Sequence, residues 1–250
     1  MRTTRIASFI HKWLALLMAV QILFWFASGL FFAVFPIERV RSEHMKAEAP
    51  EAAIAVADAA AGLQRIAGAA AGERIEVRTM LGRPVAQVSP RDGRPRLYDL
   101  RDGRLLSPLP PALAAAVAEA DHAGAQRAAR VELVTAASTE YRAVLPAWRV
   151  SFDDGEARAL YVAQDTGLVT ARRSALWRTY DFLWSLHIMD FKGHEDFNSP
   201  LLIAATALAL LMAVTGIVLF PVRLGLSGWL RLKRRRQGAA GPQVSPPSAG

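Results

Sequence analysis

The sequence predicts an α+β membrane protein in which two transmembrane helices flank one exterior domain built from two helix-plus-antiparallel-sheet repeats. Three observations predict it. Uncharged apolar stretches bracket the chain at Trp13–Phe35 and Leu201–Val222. The excess positive charge sits wholly outside them. The segment between them twice runs through a helix and then alternating strands.

Each apolar stretch, coiled at 1.5 Å per residue, reaches roughly 33–35 Å, enough to cross a hydrocarbon layer of about 30 Å. Pro36 ends the first helix, since proline has no N–H to continue it. Pro200 opens the second at its first helical position, with Asn198 or Ser199 as cap. The first stretch is longer than a cleavable leader's apolar core, and no small-residue cleavage motif follows it directly. It therefore reads as a retained anchor.

Charge sets the orientation. Arg2, Arg5 and Lys12 precede the first stretch, and Arg223, Arg231, Lys233, Arg234, Arg235 and Arg236 follow the second. The segment 36–200 carries the other 21 cations and all 22 acids, so the +8 of the chain belongs to its two ends. Short Lys/Arg-rich flanks stay cytoplasmic. Both termini are thus expected inside and the middle outside. The basic tail reads as a contact with anionic lipid headgroups rather than with nucleic acid. With 26 Arg to 4 Lys and abundant Ala, the composition resembles that of a GC-rich bacterium. The outside is then a periplasm and the bilayer the inner membrane. The chain has no cysteine, which excludes disulfides, thiolate metal sites and covalently attached haem.

Small residues mark helix-packing faces in membranes. Ala205, Ala209 and Ala213 share one face of the second span, and Gly29 and Ala33 share one face of the first. Counting depth from the outer ends of two antiparallel spans places Gln21 level with Thr215. A polar side chain in hydrocarbon needs a partner, so these two are expected to face each other. The alternative is that Gln21 meets its mate in a homodimer.

The predicted boundaries are a cytoplasmic start over 1–12, a span over 13–35, an exterior domain over 36–173 and a juxtamembrane helix and loop over 174–199. A second span over 200–222 and a basic, disordered tail over 223–250 complete the chain. Within the domain, repeats fall at about 51–107 and 111–173. The first opens with an Ala-rich helix over 51–71, then strands at Arg74–Leu81 and Pro84–Val88. The second opens with a helix from Pro111, then strands ending in ALYVAQDTGLVT. Leu97-Tyr98…Asp102-Gly103…Leu105 matches Leu160-Tyr161…Asp165-Thr166-Gly167…Val169, a strand, a tight Asp/Gly turn and a strand in both places. Alternation with one wet face suits antiparallel sheets.

ALYVAQDTGLVTARRS resembles the end of a PepSY domain. FIHKWLALLMAVQILFWFASGLFFAVFPIERVR and LWRTYDFLWSLHIMDFKGHEDFNSPLL resemble the PepSY-associated membrane proteins, and the likeness covers the chain to about residue 223. It implies helix-plus-sheet modules outside the membrane and an association with inhibiting or chaperoning secreted peptidases. Larger members with more spans resemble iron–siderophore reductases, which hold haem through membrane histidines; this chain has two spans.

His11, just before the first apolar stretch, reads either as an interfacial residue beside Lys12 and Trp13 or, by that resemblance, as a haem ligand. Segment 174–191 reads as an amphipathic helix at the membrane surface with Trp177 and Trp184 as anchors, joined by Trp229 and the cations Arg231, Lys233, Arg234, Arg235 and Arg236 near the second span. His187 sits among its aromatics. His187, Asp190 and His194 share a face if the helix continues past Gly193, where a haem or metal ion could be held. The competing reading is an acidic loop that caps and contacts headgroups. Asp153, Asp154 and Glu156 read as a solvated hairpin tip, and His122 as a residue at a helix end that favours a cation. Neither HExxH, Gly-x-Ser-x-Gly nor a cysteine nucleophile occurs. The expected role is non-enzymatic binding of a periplasmic or membrane protein. The alternative is an accessory subunit in iron reduction or electron transfer carrying haem b or a metal.

Overall fold

The computed structural model describes residues 2–47, 53–68, 74–124 and 126–224, which fall into two compact units. One comprises residues up to 27, 186–190 and 195 onward; the other comprises 28–185 and 191–194. The chain is α+β, with an apolar helix near each end and two antiparallel sheets between them.

Helix α1 (Arg2–Val34), whose residues up to 27 belong to the first unit, begins well before the predicted span. Helix α6 (Pro200–Arg223) starts where proline predicts, and Ser199 caps it: the Leu202 N–H donates to Ser199 Oγ at 3.2 Å. Ser8–Val34 and Pro200–Pro221 are long and apolar enough to cross a membrane. Their side chains mostly point outward, as helices solvated by lipid would. The least exposed stripe of α6 runs through buried Ala205 and half-buried Ala209, Met212 and Gly216, at three- and four-residue spacing.

The second unit is the folded lobe. Helix α2 (Ile37–Val40) and a 3-10 turn (Glu43–Met45) lead to α3 (Val56–Ile66), shorter than the predicted 51–71, whose ends lie partly outside the described residues. Strands β1 (Arg74–Met80), β2 (Arg83–Ser89) and β3 (Arg96–Asp99) form an antiparallel meander. Helix α4 (Pro111–Asp121) follows, with proline at its first position. Then β4 (Ala128–Val134), β5 (Ala147–Phe152), β6 (Ala159–Ala163) and β7 (Val169–Arg173) form a second meander. The predicted strand from Val144 begins only at Ala147, because Pro146 has no N–H for the ladder. Ser174 caps α5 (Ala175–Ile188), accepting the Trp177 N–H at 3.1 Å.

The alternation of β2 and β3 sends side chains to two separate cores. Val85 and Leu97 join Met80, α4 (Ala114, Val117, Ala118) and the inner face of the second sheet (Val150, Leu160, Val162). Ala86, Val88, Tyr98 and Leu100 pack under Ile66 of α3. The outer face of the second sheet is closed by the loop carrying Tyr141. Its ring stacks on Tyr161 at 4.3 Å, and its hydroxyl donates to Val144 O at 2.7 Å. The expected solvated tip at Asp154 is corrected: its side chain is 2% exposed and grips Arg158 at 2.9 Å. The backbone N–H groups of Glu156 and Arg158 also donate to Asp154, so the carboxylate organises the turn from inside.

Candidate functional site

His11 lies against the second span. Its Nδ1 is 3.0 Å from Met212 O and 3.1 Å from Thr215 Oγ1. Thr215 spends its own hydroxyl proton on the carbonyls of Leu211 and Met212. A carbonyl only accepts, so a neutral His11 carries its proton on Nδ1 and keeps the lone pair on Nε2. Gly216 permits this approach: a Cβ there would sit 3.1 Å from His11 Cε1.

The expected Gln21–Thr215 pair does not form. Gln21 donates instead to Leu186 O at 3.2 Å, and Trp25, one turn along the same face, donates to His187 O at 2.7 Å. Both acceptors are among the last carbonyls of α5, which have no partner inside their own helix. Met189, just past that helix, takes a left-handed φ of 55°. The depth count failed because the two apolar stretches do not end level. With His11 beside Met212–Gly216, an antiparallel α6 puts Leu201 level with about Phe24 rather than Phe35.

The small-residue faces are redrawn likewise. Ala205 is buried and Ala209 half-buried, but Ala213 and Ala33 are exposed. A Cβ on Gly29 would touch nothing within 4 Å. The close-packed glycine of the spans is Gly216.

His187, Asp190 and His194 do not share a helix face, because α5 ends at Ile188 and His194 itself has φ 60°. Asp190 caps the loop, accepting the N–H groups of Glu195 and Asp196 at 3.0 Å each. His194 Nδ1 lies 2.6 Å from Asp181 Oδ2. Among the described residues no three His, Asp or Glu side chains converge as a metal cage. Burial holds the His187 imidazole below its ordinary pKa. Trp177 and Trp184 make protein contacts: Arg173 sits 4.0 Å over the Trp177 ring, and Trp184 donates to His194 O at 3.2 Å. Trp229, Arg231, Lys233, Arg234, Arg235 and Arg236 lie outside the described residues.

His122 does end α4, but as a buried, neutral-favouring group rather than an exposed cation. Burial foremost, then Arg158, lowers its pKa against the pull of Asp154, and its Nε2 is 4.0 Å from Asp154 Oδ2.

Among the described residues β1 is an edge strand, paired on one side only. On the face that α3 covers, Ile75 and Val77 remain partly exposed. At its far end, two hollows open on either side of the β1–β2 hairpin tip and share Met80 and Leu81. The larger, about 370 Å³, adds Arg83, Asp99, Arg104 and Leu113. The smaller, about 190 Å³, lies between β1 and the β6–β7 turn, over α4, and adds Lys46, Arg78, Val117, Asp121 and Leu168. Arg78 donates to Thr166 O, while its buried Nε has no hydrogen-bond partner. Sequence reading missed this region, since a two-residue Leu-Gly turn carries neither the Asn-Gly nor the Asp-Gly signal of a tight hairpin.

The chain matches the model of the PepSY-associated TM region over residues 8–240. No curated protein matches it. No solved structure matches it.

Proposed function

Because the chain belongs to the family of PepSY-associated transmembrane proteins, we propose that it is a non-enzymatic inner-membrane protein that presents its lobe to the periplasm to bind a protein or peptide. Both termini lie in the cytoplasm in this reading, as the flanking cations favour. The two helix-then-meander halves are two copies of one PepSY-like unit. Their common element order supports this.

The observation that carries the reading is the β1 edge. Among the described residues no strand pairs with its outer row of backbone groups, and half-exposed apolar side chains lie beside it with hollows at its end. An extended segment can add to such an edge by main-chain hydrogen bonds, with side-chain pockets giving selectivity. Regulation or chaperoning of a secreted peptidase fits this mode. The test replaces Val77 with a photoreactive amino acid in living cells. A discrete adduct with an exported protein is expected; irradiation yielding only the unmodified chain contradicts it.

A second reading, an accessory in iron reduction or electron transfer, draws on His11. An imidazole whose Nδ1–H is held by a backbone carbonyl is oriented to offer Nε2 as a ligand. In that reading His11 would be the residue that holds the iron of a haem b. A Soret band in the purified protein that His11→Ala abolishes would support this second reading, and a colourless preparation from iron-replete cells would contradict it.

A further inference from the structure

The hairpin tip between β1 and β2 is built against local preference. Leu81 and Gly82 both have positive φ, 51° and 70°, between the paired residues Met80 and Arg83. This is a two-residue turn of the primed type, which asks for Asn, Asp or Gly at both places. Gly82 complies. Leu81 adopts the left-handed region against the clash of its Cβ, and its apolar side chain is 41% exposed there. Neither the conformation nor the exposure favours leucine for folding. Strain of this kind, found first, points to a use.

Charge around the tip is equally local. The two hollows carry Lys46, Arg78, Arg83 and Arg104 against Asp99 and Asp121. Asp121 is gripped by Arg172 through Nε at 2.9 Å, and Asp99 accepts the Arg101 N–H at 2.9 Å and faces Arg83 at 3.5 Å. The acids are thus engaged, and the cations stand in excess. Segment 36–200 as a whole carries one more acid than base, so the basic character belongs to this place. Arg78 is the innermost cation, with its buried Nε unsatisfied beside apolar walls from Met80, Val117 and Leu168.

We propose that the Leu81 tip and its flanking hollows are a docking groove for an extended peptide segment that alternates apolar and acidic side chains. Leu81 grips an apolar side chain, and the Arg78 guanidinium at the hollow's wall takes a neighbouring carboxylate. The segment lies along the open edge of β1. This rests on the binding role proposed above and names the site and chemistry within it.

The test uses the full chain in lipid nanodiscs and three fluorescein-labelled nonapeptides, alternating Leu–Asp, Leu–Lys and Ser–Asp, read by fluorescence anisotropy. The Leu–Asp peptide is expected to bind at least tenfold more tightly than either other peptide, and less tightly as salt rises. Arg78→Met is expected to weaken it about tenfold, the loss of one charge-assisted hydrogen bond. Leu81→Asn separates function from folding. It should weaken binding several-fold yet raise the thermal midpoint by about 2–4 °C, because asparagine accepts the left-handed region. The groove is refuted if the Leu–Asp peptide fails to saturate, if Leu–Lys binds equally, or if Leu81→Asn keeps full affinity or lowers the midpoint. Should the groove fail while cross-links at Val77 persist, the binding role survives and only this placement falls.

Discussion

Gly62→Ala sets two opposite effects against each other, and the structure decides between them. Gly62 lies within α3 and is buried. Alanine is the better helix former by about 1 kcal/mol, so propensity alone predicts stabilisation. A Cβ at Gly62, however, would fall 2.6 Å from Leu100 Cβ and 2.8 Å from Leu100 O. Neither atom can swing aside as a side-chain tip would. The helix must retreat, which loosens Ile66 over Ala86, Val88 and Tyr98 and stretches the Arg65 Nη1 hydrogen bond to Leu100 O, now 2.9 Å. Overpacking of this kind costs about 1–3 kcal/mol, and a hydrogen bond from a charged donor contributes about 1.5–3 kcal/mol when intact. The net is a loss of about 2 kcal/mol, or about 4–8 °C in midpoint for a domain of this size. Thermal unfolding of the detergent-solubilised chain followed by circular dichroism measures it. Gly68, where a Cβ meets nothing within 4 Å, is the control, and Gly68→Ala should leave the midpoint within about 2 °C. An unchanged or raised midpoint in Gly62→Ala would refute the claim that α3 is seated against Leu100 through a glycine contact.

Arg158→Met should destabilise the lobe by about 3 kcal/mol, because it strands the buried Asp154 carboxylate; chemical denaturation reads the loss, and Asp154→Asn in the same background should recover part of it. The stability of the chain should fall as pH drops below about 6.5. The folded-state pKa values of His122 and His187 lie below their unfolded value, so the unfolded chain takes up protons first, with a slope of at most about 1.4 kcal/mol per pH unit for each group. Above that pH these two groups contribute no slope. His122 is faced by Asp154, Arg158, Asp121 and Gln126, and His122→Asn should flatten the acid limb measured by midpoint against pH.

Period and punctuation carried most of the fold. Pro36, Pro111 and Pro200 marked helix ends to within a few residues, although α1 starts well before its apolar run, and the Asp/Gly turns marked the β2–β3, β5–β6 and β6–β7 hairpins, because these signals act through the local backbone. Long-range placement was less legible. The spans' relative depth depends on how α5 ends, and nothing near Gln21 announces that its partner is the carbonyl of Leu186, 165 residues on. Asp154 looked like a solvated turn acid because a sequence shows charge without burial. The His187/Asp190/His194 set rested on helical continuation, and α5 stops before it reaches Asp190. Leu81 went unnoticed because leucine in a strand-like run reads as core.

The absence of cysteine allows the most direct test of the proposed topology. Single cysteines at Asp92, in the exposed β2–β3 turn, and at Ser245, in the C-terminal tail, can be treated with a membrane-impermeant maleimide in intact spheroplasts. Labelling at position 92 with protection at 245 until the membrane is permeabilised is expected. Protection at 92 with labelling at 245 would contradict a periplasmic lobe and, with it, a partner on that side of the membrane.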